Sequence, residues 1–298
     1  MRVDFLRFVV VLSFAVLCAT PVAAAEPVSV SESQIQKFLK QIGENPDDQR
    51  AYYNLGVVYA GAGNYKKAAE ALRHALRLDP QDARAHNYLG LVCTSIGEYP
   101  EAVHQSQRAL ELDPGLVSAQ ENLATVYGNA GQYRSMIDPL KAMIAAKPDD
   151  PTYYSRLGAV YLRLGPWEKA VDMLKRAIQL GSRKTADHKN LAEAYLALGK
   201  FAEAVEPLRV VVRQSPEIYE AHYNLGTALG QSGRCREAIA HFQEAMKIAP
   251  AFVDSHVNLG VCYQNLGEKE KAIHHYRNAL QMNPHLSGVQ QNIDSLIR

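Results

Sequence analysis

A leucine followed by glycine or alanine recurs every 34 residues along this chain, seven times and with no insertion or deletion between Gln49 and Pro284. The pairs are Leu55-Gly56, Leu89-Gly90, Leu123-Ala124, Leu157-Gly158, Leu191-Ala192, Leu225-Gly226 and Leu259-Gly260. A strict period of roughly 20 to 50 residues marks stacked supersecondary units, none of which can bury its apolar face alone, and argues against a single globular core.

With Gln49 as position 1 of the first unit, position 15 is glycine in every unit, from Gly63 to Gly267. A glycine there takes the left-handed conformation that ends a helix without steric cost. Position 32 is proline in six units (Pro80, Pro114, Pro148, Pro216, Pro250 and Pro284), and proline cannot continue a helix. Between these marks apolar residues keep helical spacing, as in Leu55, Val58 and Tyr59, then Ala68, Leu72, Ala75 and Leu76. Each unit is therefore a helix, a tight turn and a second helix, and the fold class is all-α. Position 8 is always glycine or alanine, and position 20 is alanine except at Met136. Small residues at both places let two helices approach closely, and a larger side chain would overpack the crossing at roughly 1 to 3 kcal/mol.

Tyr52, Leu55, Gly56, Tyr59, Ala68, Ala75 and Pro80 fall where the tetratricopeptide repeat pattern has them, and the other six units follow. The chain resembles that family over residues 49–286. The resemblance implies a right-handed superhelical solenoid of seven helical hairpins that binds peptides or proteins and has no chemistry of its own. One departure stands out. The fourth unit has Gly181-Ser182 where Asp-Pro is usual, which bears on the tightness of that junction.

Outside the repeats, Arg2 and Arg7 flank Asp4, an apolar run follows from Phe8 to Ala19, and Ala23-Ala24-Ala25 precedes Glu26. That order predicts a secretory signal over 1–25, cleaved before Glu26; an uncleaved anchor is disfavoured because the run is short for a membrane span. A lipoprotein signal ending at Cys18 is disfavoured because Leu17 stands where a small residue is needed. Residues 26–48 are expected to comprise a polar linker and an N-terminal half-repeat helix, and 287–298 a capping helix presenting Val289, Ile293, Leu296 and Ile297. No stretch outside the repeats is long enough for a catalytic domain. Removing 1–25 takes away two arginines and one aspartate, leaving 30 Lys+Arg against 30 Asp+Glu. A neutral chain without a basic stripe is not expected to bind nucleic acid, and after signal cleavage no membrane span is expected.

Positions 2, 5, 6, 9, 12 and 13 share one face of each first helix, and the resemblance places that face on the inner, concave surface. Position 6 is asparagine in five units: Asn54, Asn122, Asn190, Asn224 and Asn258. Asparagine is a mediocre helix former, so a row of amides invites a role; each offers a donor and an acceptor, which suits an extended peptide backbone. This is similar to the asparagine ladder of O-linked N-acetylglucosamine transferases, and the segment 221–226 resembles theirs. The alternative is that these asparagines face water. Tyr53 and Tyr223 lie beside them at position 5. Charge on the face is uneven: Arg50, Arg84, Arg156 and Arg163 against Glu121 sum to +3, and Lys189 against Glu193, Glu220 and Asp254 to −2. A ligand with an acidic and a basic end would acquire a direction from that asymmetry. In the carboxylate-clamp subset of the family that this chain resembles, a lysine at position 5 and an asparagine at position 9 grip a C-terminal carboxylate; here position 9 is Val57, Leu91, Thr125, Ala159, Glu193, Thr227 and Val261, so no such clamp is expected.

Histidines at position 4 (His86, His188, His222 and His256) are translated along the stack and do not converge on a point, so no metal is expected. No Gly-rich phosphate loop or nucleophile elbow is present, and no cofactor is expected. Trp167, Tyr65, Tyr99, Tyr133 and Phe201 at position 17 are expected to plug the core beside the turn. Cys93 is expected to be a buried, unreactive thiol. Cys235 and Cys262 open and close antiparallel neighbouring helices and are candidates for a disulfide. The expected function is a non-enzymatic, exported peptide- or protein-binding scaffold in a bacterial periplasm. The alternatives are a self-associating structural scaffold, or an accessory subunit of an envelope glycosyltransferase or polysaccharide export system.

Overall fold

The computed structural model describes residues 32–298. The expected signal segment lies outside the described residues. The described residues form two compact units, 32–164 and 165–298, each built of helices only. The first contains α1 (Glu32–Glu44), α2 (Gln49–Gly61), α3 (Tyr65–Leu78), α4 (Ala83–Ile96), α5 (Tyr99–Leu112), α6 (Val117–Asn129), α7 (Ile137–Ala146) and α8 (Pro151–Leu164). The second contains α9 (Trp167–Gln179), α10 (Thr185–Ala197), α11 (Phe201–Gln214), α12 (Tyr219–Gln231), α13 (Cys235–Ile248), α14 (Val253–Asn265), α15 (Lys269–Met282) and α16 (Val289–Ile297). Within each unit every helix packs on the next in sequence, the pattern of stacked hairpins that the 34-residue period demands.

The turn inside each hairpin follows from its glycine. Gly63, Gly97, Gly131, Gly165, Gly199, Gly233 and Gly267 all have positive φ, between 68° and 101°. In six of the seven the next residue closes the helix end with a bond back across five residues: Asn64 N–H to Tyr59 O, Glu98 to Cys93, Gln132 to Tyr127, Lys200 to Tyr195, Arg234 to Leu229 and Glu268 to Tyr263, at 2.8 or 2.9 Å. The seventh is Gly165, where Pro166 has no N–H to give; there the Trp167 N–H bonds Gly165 O at 2.8 Å instead.

Close approach of the two helices explains the small residue at position 8. A Cβ added to Gly56 would lie 2.6 Å from Leu72 Cγ, one on Gly90 2.5 Å from Ser106 Oγ, one on Gly226 2.8 Å from the Phe242 ring, and one on Gly260 2.5 Å from the Tyr276 ring. All four neighbours occupy position 24. Where position 8 is alanine, at Ala124 and Ala192, position 24 is leucine, at Leu140 and Leu208. Phe242 and Tyr276 are fully buried, so the glycines opposite them make room for two of the largest rings of the core.

Two departures have local causes. The second helix of the third hairpin begins with a 3-10 turn, Tyr133–Met136, before α7. Pro139 lacks the donor that would bond the Ser135 carbonyl, which favours the tighter winding there. Met136, the exception to alanine at position 20, is buried and packs toward Gly128, where an added Cβ would meet its Cε at 3.4 Å. At the Gly181-Ser182 junction the turn is as tight as elsewhere by different chemistry. Gly181 has φ 93°, Ser182 N–H bonds Ala177 O at 3.0 Å, and the Ser182 hydroxyl donates to buried Asp187.

At the ends, α1 packs on α2, and α16 packs on α15 through buried Val289 and Ile293. Ile297, expected on the buried side, is 64% exposed, because α16 has only one turn beyond Ile293 and ends as Ile297 comes round. The position-17 aromatics also need correction as core plugs. Tyr65 and Trp167 are 39% and 38% exposed, since each opens its helix at the rim of the turn.

The position 8 to position 24 contact gives a test. Gly260→Ala should destabilise the protein by roughly 1 to 3 kcal/mol in chemical denaturation, and Tyr276→Leu should recover much of that loss within the double variant. Strictly additive effects of the two changes would refute a steric origin.

Candidate functional site

The face expected to line the groove is a zipper between consecutive hairpins: position 5 of one unit meets position 6 of the next. In residues 32–164, the Tyr53 and Tyr88 rings meet edge-on with centroids 6.0 Å apart. The Asn122 amide donates to Asn87 Oδ1 at 2.6 Å and to Asn87 O at 3.1 Å, and Asn87 in turn donates to Ser118 Oγ at 2.9 Å. Position 9 also takes part: Arg156 donates to Thr125 Oγ1 at 3.5 Å, and Tyr153 donates to Glu121 at 2.7 Å beside it. In residues 165–298, the Asn258 amide donates to Tyr223 OH at 3.1 Å.

That zipper corrects the asparagine ladder as a uniform row of free amides. Asn122 and Asn258 spend a donor on the preceding hairpin. Asn54 is exposed and has no repeat before it to supply a position-5 partner of this kind. Asn224 is half-buried, and Asn190 is buried with no hydrogen-bond partner at Oδ1 among the described residues. Water-facing asparagine describes Asn54 only.

The charges divide in the same way. Arg50 and Arg84 are exposed, and Arg84 Nε lies 3.7 Å from Asp82. Arg156 is half-buried; burial holds its pKa down, against the pull of Glu121 and Tyr153. Arg163 does not stand free in the groove: its guanidinium lies 4.3 Å over the Tyr133 ring, a cation–π contact. In residues 165–298, burial pushes Glu193 up to about 7, against the lowering effect of Lys189 one turn earlier on α10. Burial also raises Asp254 on α14.

Position 4 turns out to be a junction bolt. The Nε2–H of His86 and of His222 reaches the carbonyls of Pro80 and Pro216 at 3.1 Å, and the Tyr154 hydroxyl reaches that of Pro148 at 3.0 Å. The histidines also have partners that their own period did not reveal. His222 Nδ1 lies 3.3 Å from His241 Nδ1, and His256 Nδ1 lies 3.0 Å from His275 Nδ1, a match of positions 4 and 23. Two imidazoles in such contact share one hydrogen between facing nitrogens, so one proton more on the pair puts donors face to face.

Three other groups complete the chemistry. Cys93 is buried, and its thiol is pushed up to about 12, chiefly by burial and then by Glu101. Its Sγ, with Glu98 and Glu101, forms the one group of three metal-type ligand atoms found within 4.8 Å among the described residues. Arg73 already supplies positive charge there, 2.8 Å from Glu98 and 2.5 Å from Glu101. Cys235 and Cys262 are buried thiols in contact; the Cys262 S–H and the Asn265 amide, at 3.9 Å, both point to the Cys235 sulfur and favour its thiolate.

Tetratricopeptide repeat family models match residues 34–117 in two overlapping segments, then 149–217, 189–250 and 253–286. The chain belongs to the tetratricopeptide repeat family. Among solved structures, a tetratricopeptide repeat protein from Parabacteroides merdae is similar at 14% identity and a TM-score of 0.52, over 89% of this chain and 100% of that one. MamA (AMB-1) is similar at 23% identity and a TM-score of 0.53, over 60% and 98%. A chain of the Naa15/Naa10 complex bound to HypK-THB is similar at 16% identity and a TM-score of 0.61, over 84% of this chain and 39% of that one. At these identities the likeness shows the fold. A comparison with curated proteins gave no match. As a tetratricopeptide repeat chain the protein is a scaffold of the kind that mediates protein or peptide interaction. Among the described residues no helix is long and apolar enough to cross a membrane.

The histidine pairs give a pH prediction with a definite sign. Burial, His256 and His274 depress His275 to about 4, against about 6.5 for an unfolded histidine, and Tyr263, 5.4 Å away, and Lys271 flank the same site. The unfolded chain therefore binds the proton first, so this contribution is intact above about pH 6.5 and is lost as pH falls toward 4. The melting temperature should fall between pH 7 and pH 5, and His275→Gln should flatten that fall by up to one proton's worth of slope. Identical pH dependence in variant and wild type would sink the assignment.

Proposed function

We propose that this chain is a non-enzymatic, exported scaffold that binds an extended segment of a partner protein along the inner face of its first helices, in a bacterial periplasm and in the service of envelope assembly. The observation that carries the reading is unspent hydrogen-bonding capacity on that face. Asn190 Oδ1 and Gln231 Nε2 are buried side-chain atoms without a hydrogen-bond partner among the described residues, at positions 6 and 13. A buried polar atom left unpaired costs about 1 to 3 kcal/mol, and a peptide backbone supplies both donors and acceptors. Export rests on the sequence of residues 1–25, with basic, apolar and Ala-x-Ala regions in the order of a secretory signal.

A photo-reactive amino acid placed at Asn224 should cross-link a partner polypeptide in cells, whereas one at Arg277, exposed on α15, should not. Capture only from Arg277 would refute groove binding. Mass spectrometry of the protein from the same cells should find Glu26 at the N-terminus. In that exported form we also propose a Cys235–Cys262 disulfide, so non-reducing maps should join the two peptides; both recovered unlinked would exclude the bridge.

A further inference from the structure

We infer, on the basis of that groove reading, that residues 165–298 select an extended partner segment bearing a lysine or arginine, and that Glu193 receives its cation. The groove face of this unit is formed by α10, α12 and α14. Its register places Lys189, Asn190 and Glu193 on α10, Tyr223, Asn224, Thr227 and Gln231 on α12, and Asp254, Val257, Asn258 and Val261 on α14. Three separate features of that set describe the occupant.

The first is charge. Glu193, Glu220 and Asp254 against Lys189 leave the face at −2, while the corresponding face of residues 32–164 carries +3. The second is the surroundings of the acids. Burial outweighs the help Lys189 gives Glu193, and burial is the cause that raises Asp254. A carboxylate in such a place gains more from an incoming cation than one in water does, because little solvent screens the pair. The third is the unpaired polar atoms. The Asn190 Oδ1 acceptor stands on α10, the helix of Glu193, and the Gln231 Nε2 donor on α12; Asn190 is 5% exposed. They match the alternating N–H and C=O groups of an extended chain.

Those three features exclude an acidic segment, which would bring like charge to Glu193 and Asp254, and a wholly apolar one, which would bury the carboxylates further without an opposite charge.

The test is selection of a random dodecapeptide phage library on the immobilised whole chain, followed by affinity measurement with one enriched peptide and its Arg→Gln and Arg→Glu forms. Peptides of the enriched pool should carry at least one lysine or arginine. The parent peptide should bind at least fivefold more tightly than the glutamine form, and the glutamate form should bind most weakly. In Glu193→Gln, a near-isosteric change checked by melting, the preference for arginine over glutamine should fall below twofold; Asn190→Ala should weaken all three peptides alike. Enriched peptides without basic residues, or an arginine preference unchanged in Glu193→Gln, would overturn the cation inference and leave groove binding intact. No enrichment over bare support would overturn both.

Discussion

The fold depends on how near two helices of one hairpin can come. At Gly226 and Gly260, where position 8 has no side chain, the facing side chain at position 24 is a phenylalanine and a tyrosine, fully buried against the bare backbone. Where position 8 keeps a methyl group, as at Ala124 and Ala192, leucine suffices. Position 24 ranges from Ser106 to Tyr276 while position 8 stays glycine or alanine in every unit, so the small residue is the fixed member of the contact, as close packing of two helices requires. The rest of the hairpin, including the left-handed glycine and the bond back across the turn, orients the two helices so that this contact forms.

Much of that was legible in the sequence. The helix, turn and helix order, the role of the position-15 glycines and the need for small residues at position 8 all follow from a period with no slippage, since one residue gained or lost would turn every apolar stripe by about 100°. The groove was less legible. Which residues share a face follows from periodicity within one helix, but what they touch depends on the neighbouring helix, 34 residues away. Asn122 reads as a free amide until Asn87 is seen beside it, and Asn258 until Tyr223 is. The same blindness hid the histidine pairs: His222 and His256 were visible as a repeat, but His241 and His275 sit 19 residues later on the facing helix, at a spacing that no single-helix pattern marks. Exposure of Tyr65 and Trp167 was missed because aromatic character predicts contact with the core, not complete enclosure by it.

Binding and cohesion draw on the same side chains here. A residue that ties two hairpins together has fewer groups left for a ligand, so unpaired capacity is left where the ties are incomplete, at Asn190 and Gln231.

The zipper also gives each repeat an address. Arg156 is half-buried on the first helix of the fourth unit, and the compensating Glu121 and Thr125 belong to the third. Deleting residues 117–150 would preserve the period and the turn and position-8 contact of every remaining unit, yet would set Arg156 against Asn87 and Leu91 with no carboxylate to answer it. The units match in length and secondary structure but are not interchangeable, and their order along the chain is written in side-chain pairs that no single repeat contains.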